Sequence, residues 1–169
     1  MKKLLFGVSV LIALIGLIFV IGALLPQSHV ASVTRHYNIG PEHVWRAITE
    51  VEHFAAWRPG LASAQRLPAQ EGRERWQEKT KYDAMTIEVT ESLPTQRLVT
   101  RIADEGLPFG GTWTYELRST AGGTELVITE RGEVYSPLFR FISRFVTGYE
   151  GTMEKYHQGL EQRLSADRG

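Results

Sequence analysis

PLFRFISRFVTGYEGTMEKYHQGLEQRL, residues 137–164, is the stretch whose reading decides the fold. Its apolar residues are Leu138, Phe139, Ile142, Phe145, Val146, Tyr149, Met153, Tyr156, Leu160 and Leu164. They recur in steps of three and four, which places them on one stripe of a helix. Arg140, Arg144, Glu150, Glu154, Lys155, Gln158, Glu161 and Arg163 fall on the opposite face, which is expected to be solvated. Ser136 and Pro137 suit an N-cap and a first helical position. At roughly 1.5 Å per residue a continuous helix here would be about 40 Å long. A stripe of that length requires a broad apolar partner.

The preceding sequence supplies that partner as strands. Residues 61–67, 73–82, 84–93, 97–103, 111–119 and 124–135 read as six strands, separated by Gly- and Pro-containing breaks such as Leu93-Pro94-Thr95 and Ala121-Gly122-Gly123. Their short connections predict an antiparallel meander. Trp113, Tyr115 and Leu117 alternate with Thr112, Thr114 and Glu116, so one face is covered and the other wet. Residues 30–39 read as a first strand with Val33, Tyr37 and Ile39 on one face. Gly40-Pro41 then opens a short helix carrying Val44, Trp45 and Ile48. A second short helix carries Val51, Phe54 and Trp57, and Arg58-Pro59-Gly60 stops it. The expected class is α+β: a curved antiparallel sheet of about seven strands around a long C-terminal helix, with two short helices after the first strand.

Outside this pattern, residues 4–25 form an uncharged apolar run of about 22 residues. As a helix such a run spans ~33 Å, enough for a bilayer core of ~30 Å. It exceeds the ~7–15 apolar residues of a signal peptide, and no clean cleavage site follows, so an uncleaved transmembrane anchor is expected. The chain then divides into an anchor with a short linker, residues 1–28, and a folded domain, residues 29–169. Lys2 and Lys3 precede the run and no positive charge closely follows it. That pattern predicts a cytoplasmic N-terminus and a domain on the periplasmic or extracellular side. The few linker residues reach roughly 14 Å at full extension, which keeps the domain on the membrane surface. Gly7, Gly16 and Gly22, with Ser9 and Ala13, are read as small residues tolerated in a lipid-facing helix.

The 19 basic residues balance the 19 acidic ones, and without Lys2 and Lys3 the domain holds 17 against 19. A near-neutral surface argues against nucleic acid as a partner. The chain has no cysteine, which excludes disulfides, thiolate metal sites and cysteine nucleophiles. Its five histidines show no metal-ligand spacing, and no phosphate loop, dinucleotide fingerprint or nucleophile elbow is present. No metal and no cofactor is expected.

The sequence resembles the START/Bet v1-like (SRPBCC) superfamily, and within it the polyketide cyclase/dehydrase branch. The resemblance rests on IGPEHVWRAI at residues 39–48 and VEHFAAWRPG at residues 51–60. It extends to GTWTYEL at residues 111–117, the Gly123-Thr124 turn and TERG at residues 129–132, and it covers about residues 30–164. It implies a helix-grip fold with a cavity between sheet and long helix. Members include carriers of hydrophobic ligands, lipid-transfer domains and some cyclases, so the fold alone names no function.

Alternation on residues 73–82 turns Arg73, Arg75, Gln77, Lys79 and Lys81 outward, which sends Trp76, Glu78, Thr80 and Tyr82 inward. On the last strand Leu126 and Ile128 carry Glu130 inward with them. Glu78 and Glu130 are candidate polar anchors of an apolar pocket; alternatively they reach solvent at strand ends or pair with an arginine such as Arg101. With Trp76, Tyr82, Trp113, Tyr115, Phe145 and Tyr149 they make up the expected cavity lining, although core packing explains most of the aromatics equally well. Gly148 and Gly151 interrupt the helical pattern, either as a flexible point or as sites of close packing. The leading expectation is a membrane-anchored binding module for a hydrophobic small molecule such as a lipid, isoprenoid or quinone. The alternatives are a cyclase- or dehydratase-like enzyme using Glu78, Glu130, Tyr82 and Tyr115 as acid and base, and a packed interaction domain without ligand.

Overall fold

The computed structural model describes residues 2–166. Helix α1 (Lys2–Leu24) is followed by β1 (Ser28–Tyr37), α2 (Pro41–Thr49), a 3₁₀ turn (Val51–His53) and α3 (Phe54–Trp57). The strands β2 (Leu61–Gln70), β3 (Arg73–Thr80), β4 (Ala84–Leu93), β5 (Arg97–Ile102), β6 (Phe109–Thr120) and β7 (Gly123–Val134) come next. The chain closes with α4 (Pro137–Ile142), a π turn (Ser143–Thr147) and α5 (Gly151–Ala166). The seven strands form one antiparallel sheet in the order β1-β7-β6-β5-β4-β3-β2. Only β1 is out of sequence: it closes the sheet beside the last strand, as the helix-grip arrangement requires.

The sheet grips α5. Met153, Tyr156, Leu160 and Leu164, the second half of the predicted stripe, are buried against Val33, Leu126 and Ile128 of the sheet and against Val44 and Ile48 of α2. Gly159 lets α5 reach the backbone of α3, because a Cβ there would stand 2.3 Å from the Trp57 carbonyl oxygen. One buried polar link joins helix to sheet. Tyr37 Oη lies 2.7 Å from His157 Nδ1, and His157 Nε2 donates to the Val33 carbonyl over 3.3 Å. Burial holds the His157 imidazole below its usual range, so the ring is neutral with its proton on Nε2.

The expected single helix over residues 137–164 is two. Gly148 has φ +70°, a conformation nearly closed to other residues, and there the chain leaves the helical path. The first half of the stripe therefore never reaches the sheet core: Leu138, Phe139, Phe145 and Val146 are exposed. Arg140, expected on a wet face, is buried. Its guanidinium donates to the carbonyls of Ala23 (3.4 Å), Leu25 (3.0 Å) and Tyr135 (3.0 Å). It thus caps the C-terminal end of α1, where carbonyls lack helical partners and the helix dipole is negative. At the same crossing Gly22 meets α4 so closely that a Cβ would stand 1.9 Å from the Pro137 carbonyl oxygen. Gly7 and Gly16 touch nothing. The small residue at 22 is therefore a packing site rather than a tolerated one. By length and composition α1 can cross a membrane, and its most apolar window is not buried against the domain.

Candidate functional site

Because α5 starts only at Gly151, it fills one end of the concave sheet and leaves the other end hollow. A cavity of about 360 Å³ lies there, within the ~300–1,000 Å³ of small-molecule sites. Met85, Ile87, Ile102, Phe109, Val134 and Phe139 supply its apolar wall. Two polar clusters interrupt that wall.

The first is built on β3. Its alternation turns Trp76 and Glu78 inward as expected, and both line the cavity. The Glu78 carboxylate accepts the Trp76 Nε1–H over 2.8 Å and pairs with the Arg58 guanidinium. The Glu78 side chain is 6% exposed and that of Arg58 20%. Arg58 arrives from the turn after α3, and its guanidinium carbon lies 5.1 Å from the Phe54 ring centre and 5.2 Å from that of Tyr156. Burial works against the arginine's charge, but the adjacent carboxylate outweighs it and keeps the group protonated. Beside the pair, the rings of Tyr115 and Tyr156 meet with centroids 5.7 Å apart. Burial is the main reason that the Tyr115 phenol is pushed up to about 12, and burial raises Tyr156 as well. Both stay protonated at neutral pH. Of the two only Tyr115 lines the cavity, where it can donate a hydrogen bond to a ligand oxygen but is a poor base.

The second cluster surrounds Glu130 on β7. One carboxylate oxygen accepts the Trp113 Nε1–H at 2.9 Å and the other lies 3.1 Å from His29 Nε2. The His29 ring stacks on Tyr149, with centroids 3.9 Å apart and planes 16° from parallel. Tyr149 follows Gly148, so this stack fastens the break in the C-terminal helix to the first strand.

Six of the eight residues expected to line the cavity do so: Trp76, Glu78, Trp113, Tyr115, Glu130 and Tyr149. Tyr82 does not. Strand β3 ends at Thr80, whose hydroxyl accepts the Tyr82 and Asp83 amides and folds the chain into a turn. Alternation stops there and leaves Tyr82 87% exposed. Phe145 is also outside, because the π turn redirects it toward solvent beside Phe141. Arg101 does not serve Glu78 or Glu130; it pairs with Glu88 at 2.9 Å. Burial alone would raise the Glu88 carboxyl, but hydrogen bonds from Arg101 and Arg73 hold it below its usual range.

Arg58 and His29 are site residues that the sequence reading passed over. The signal for His29 is parity: it shares a strand face with Val33 and Tyr37, but β1 begins two residues before the expected start at residue 30. The signal for Arg58 was only the need of an inward Glu78 for a cation, since its own neighbourhood reads as a helix stop.

A curved sheet that grips a C-terminal helix and leaves a lined hollow between them defines a helix-grip protein of the START/Bet v1-like (SRPBCC) superfamily. Within it, the chain belongs to the family described as polyketide cyclase / dehydrase and lipid transport, whose model matches residues 28–165. Solved structures agree on the fold. TTHA0849 from Thermus thermophilus is 19% identical, with a TM-score of 0.69 over 83% of this chain and 100% of its own. The Zhui aromatase/cyclase from Streptomyces sp. R1128 is 11% identical, with a TM-score of 0.68 over 82% of this chain and 94% of its own. A START superfamily protein from Mycobacterium smegmatis is 15% identical, with a TM-score of 0.66 over 82% and 98%. No curated protein matches in sequence.

Proposed function

We propose that this chain is a membrane-anchored binding module for a hydrophobic small molecule, such as a lipid, isoprenoid or quinone. The ligand lies in the cavity between the sheet and the C-terminal helices. The observation that carries this reading is the hollow itself: about 360 Å³ with a mainly apolar wall and a few fixed polar groups. A packed interaction domain would have filled that space. In this reading Trp76, Glu78, Trp113, Tyr115, Glu130 and Tyr149 form the site, with Tyr115 donating to a ligand oxygen. Residues 1–28 anchor the domain, the N-terminus is cytoplasmic, and the domain faces the periplasm or the exterior. Support for the anchor comes from α1, which is apolar over a bilayer's thickness and otherwise unburied. An enzymatic role finds less support, because the buried carboxylate of Glu78 is already committed to Arg58.

The test is native mass spectrometry of the full chain extracted from membranes in mild detergent. A retained amphiphile is expected, released on denaturation and depleted in a Glu78→Gln/Glu130→Gln variant. A chain that carries no adduct and takes up neither a quinone nor a fatty acid would overturn the reading.

A further inference from the structure

We infer that residues 137–147 form a second membrane contact, laid in the headgroup–acyl boundary beside α1, and that its partner is the lipid bilayer itself. The inference rests on the reading of α1 as the anchor. Among the described residues outside α1, eight large hydrophobic side chains are exposed. Four of them, Leu138, Phe139, Phe145 and Val146, lie in this one short segment, with Phe145 at 60% and Val146 at 72%. A cluster of that kind in a soluble surface marks an interaction site. The segment holds two arginines and no carboxylate, and Arg144 is exposed, which suits an anionic lipid surface.

Its position names the occupant. Gly22, two residues from the end of α1, packs on Pro137, and Arg140 ties the last α1 carbonyls to α4. Two residues of helix are roughly 3 Å. A helix at that level, where α1 leaves the hydrocarbon, lies within the ~5–10 Å depth at which amphipathic segments seat their apolar face. The same segment contributes Phe139, Ser143 and Thr147 to the cavity wall. One side of it thus faces the hollow while the other faces lipid, which makes it the wall through which a membrane-dissolved ligand would pass.

The chain has no cysteine, so single cysteines can be spin-labelled without background. Phe145→Cys, Val146→Cys, Leu11→Cys and Tyr82→Cys are made in the full chain and reconstituted in phosphatidylcholine–phosphatidylglycerol vesicles. Collision with oxygen is then compared with collision with a water-soluble nickel chelate. Labels at 11, 145 and 146 are expected to favour oxygen, and the label at 82 to favour nickel. Labels at 145 and 146 that favour nickel while 11 favours oxygen would overturn the second contact and leave the anchor standing. A label at 11 that favours nickel would overturn both.

Discussion

Arg58 and Glu78 meet at the inner end of the cavity, one from the turn after α3 and the other from β3, and each neutralises the other where water is scarce. Neither residue belongs to the C-terminal helix, yet the pair sits against Tyr156 of α5 and so joins three parts of the fold. Removing one partner of such a pair leaves an uncompensated buried charge, whereas removing both leaves none. Glu78→Leu is therefore expected to destabilise by on the order of 3 kcal/mol, and Glu78→Leu/Arg58→Met by less than the single change. Urea unfolding of the four-member cycle measures this. Additive losses would show that the pair is not coupled.

Gly159→Ala sets two effects against each other. Alanine favours an α-helix interior by about 1 kcal/mol over glycine. Its methyl would stand 2.3 Å from the Trp57 carbonyl oxygen, which is backbone and cannot swing aside. Overpacking of that kind costs about 1–3 kcal/mol. The clash wins, so the variant melts lower than wild type. A raised melting temperature would mean that α3 and α5 separate easily.

His157 makes stability depend on pH in one direction. Its folded-state pKa is lowered, chiefly by burial, with the Val33 carbonyl and Glu154 opposing and Arg35 reinforcing the shift. Below the unfolded value of about 6.5 the unfolded chain takes up a proton that the folded ring resists. Stability from this group is complete above that pH and falls as the pH drops through it. The urea midpoint should decline between pH 7.5 and 5.5, and decline less in His157→Gln. Equal slopes in the two proteins would place the pH sensitivity elsewhere.

The strands, their order along the chain and the inward carboxylates were legible because alternation has a period of two and each strand is long enough to show it. Glu78 and Glu130 follow from the parity of Trp76 and Ile128 alone. What escaped depends on where a period stops. The apolar spacing of residues 137–149 fits a helix packed on the sheet as well as one turned away from it, and the break that separates the two lies at the positive φ of Gly148. Parity likewise says nothing about Tyr82 once Thr80 has closed its turn. The Arg58–Glu78 pairing spans 20 residues and is set by tertiary geometry, which no local pattern encodes.

Arg140 tests whether α1 and the C-terminal segment behave as one unit. Its three carbonyl contacts come from Ala23, Leu25 and Tyr135, so it ties the end of α1, the linker and the entry to α4 at one point. Hydrogen bonds to a charged group contribute about 1.5–3 kcal/mol each when intact. Arg140→Met keeps much of the buried stem but removes every donor. Because the core around Met153 and Leu160 does not touch this point, the loss should be local rather than global. Hydrogen exchange of the full chain in detergent is expected to quicken in residues 22–27 and 136–147 and to stay unchanged in β6 and α5. If exchange in residues 136–147 stays as slow as in wild type, α4 is held by its own apolar contacts and the arginine does not link α1 to the cavity wall.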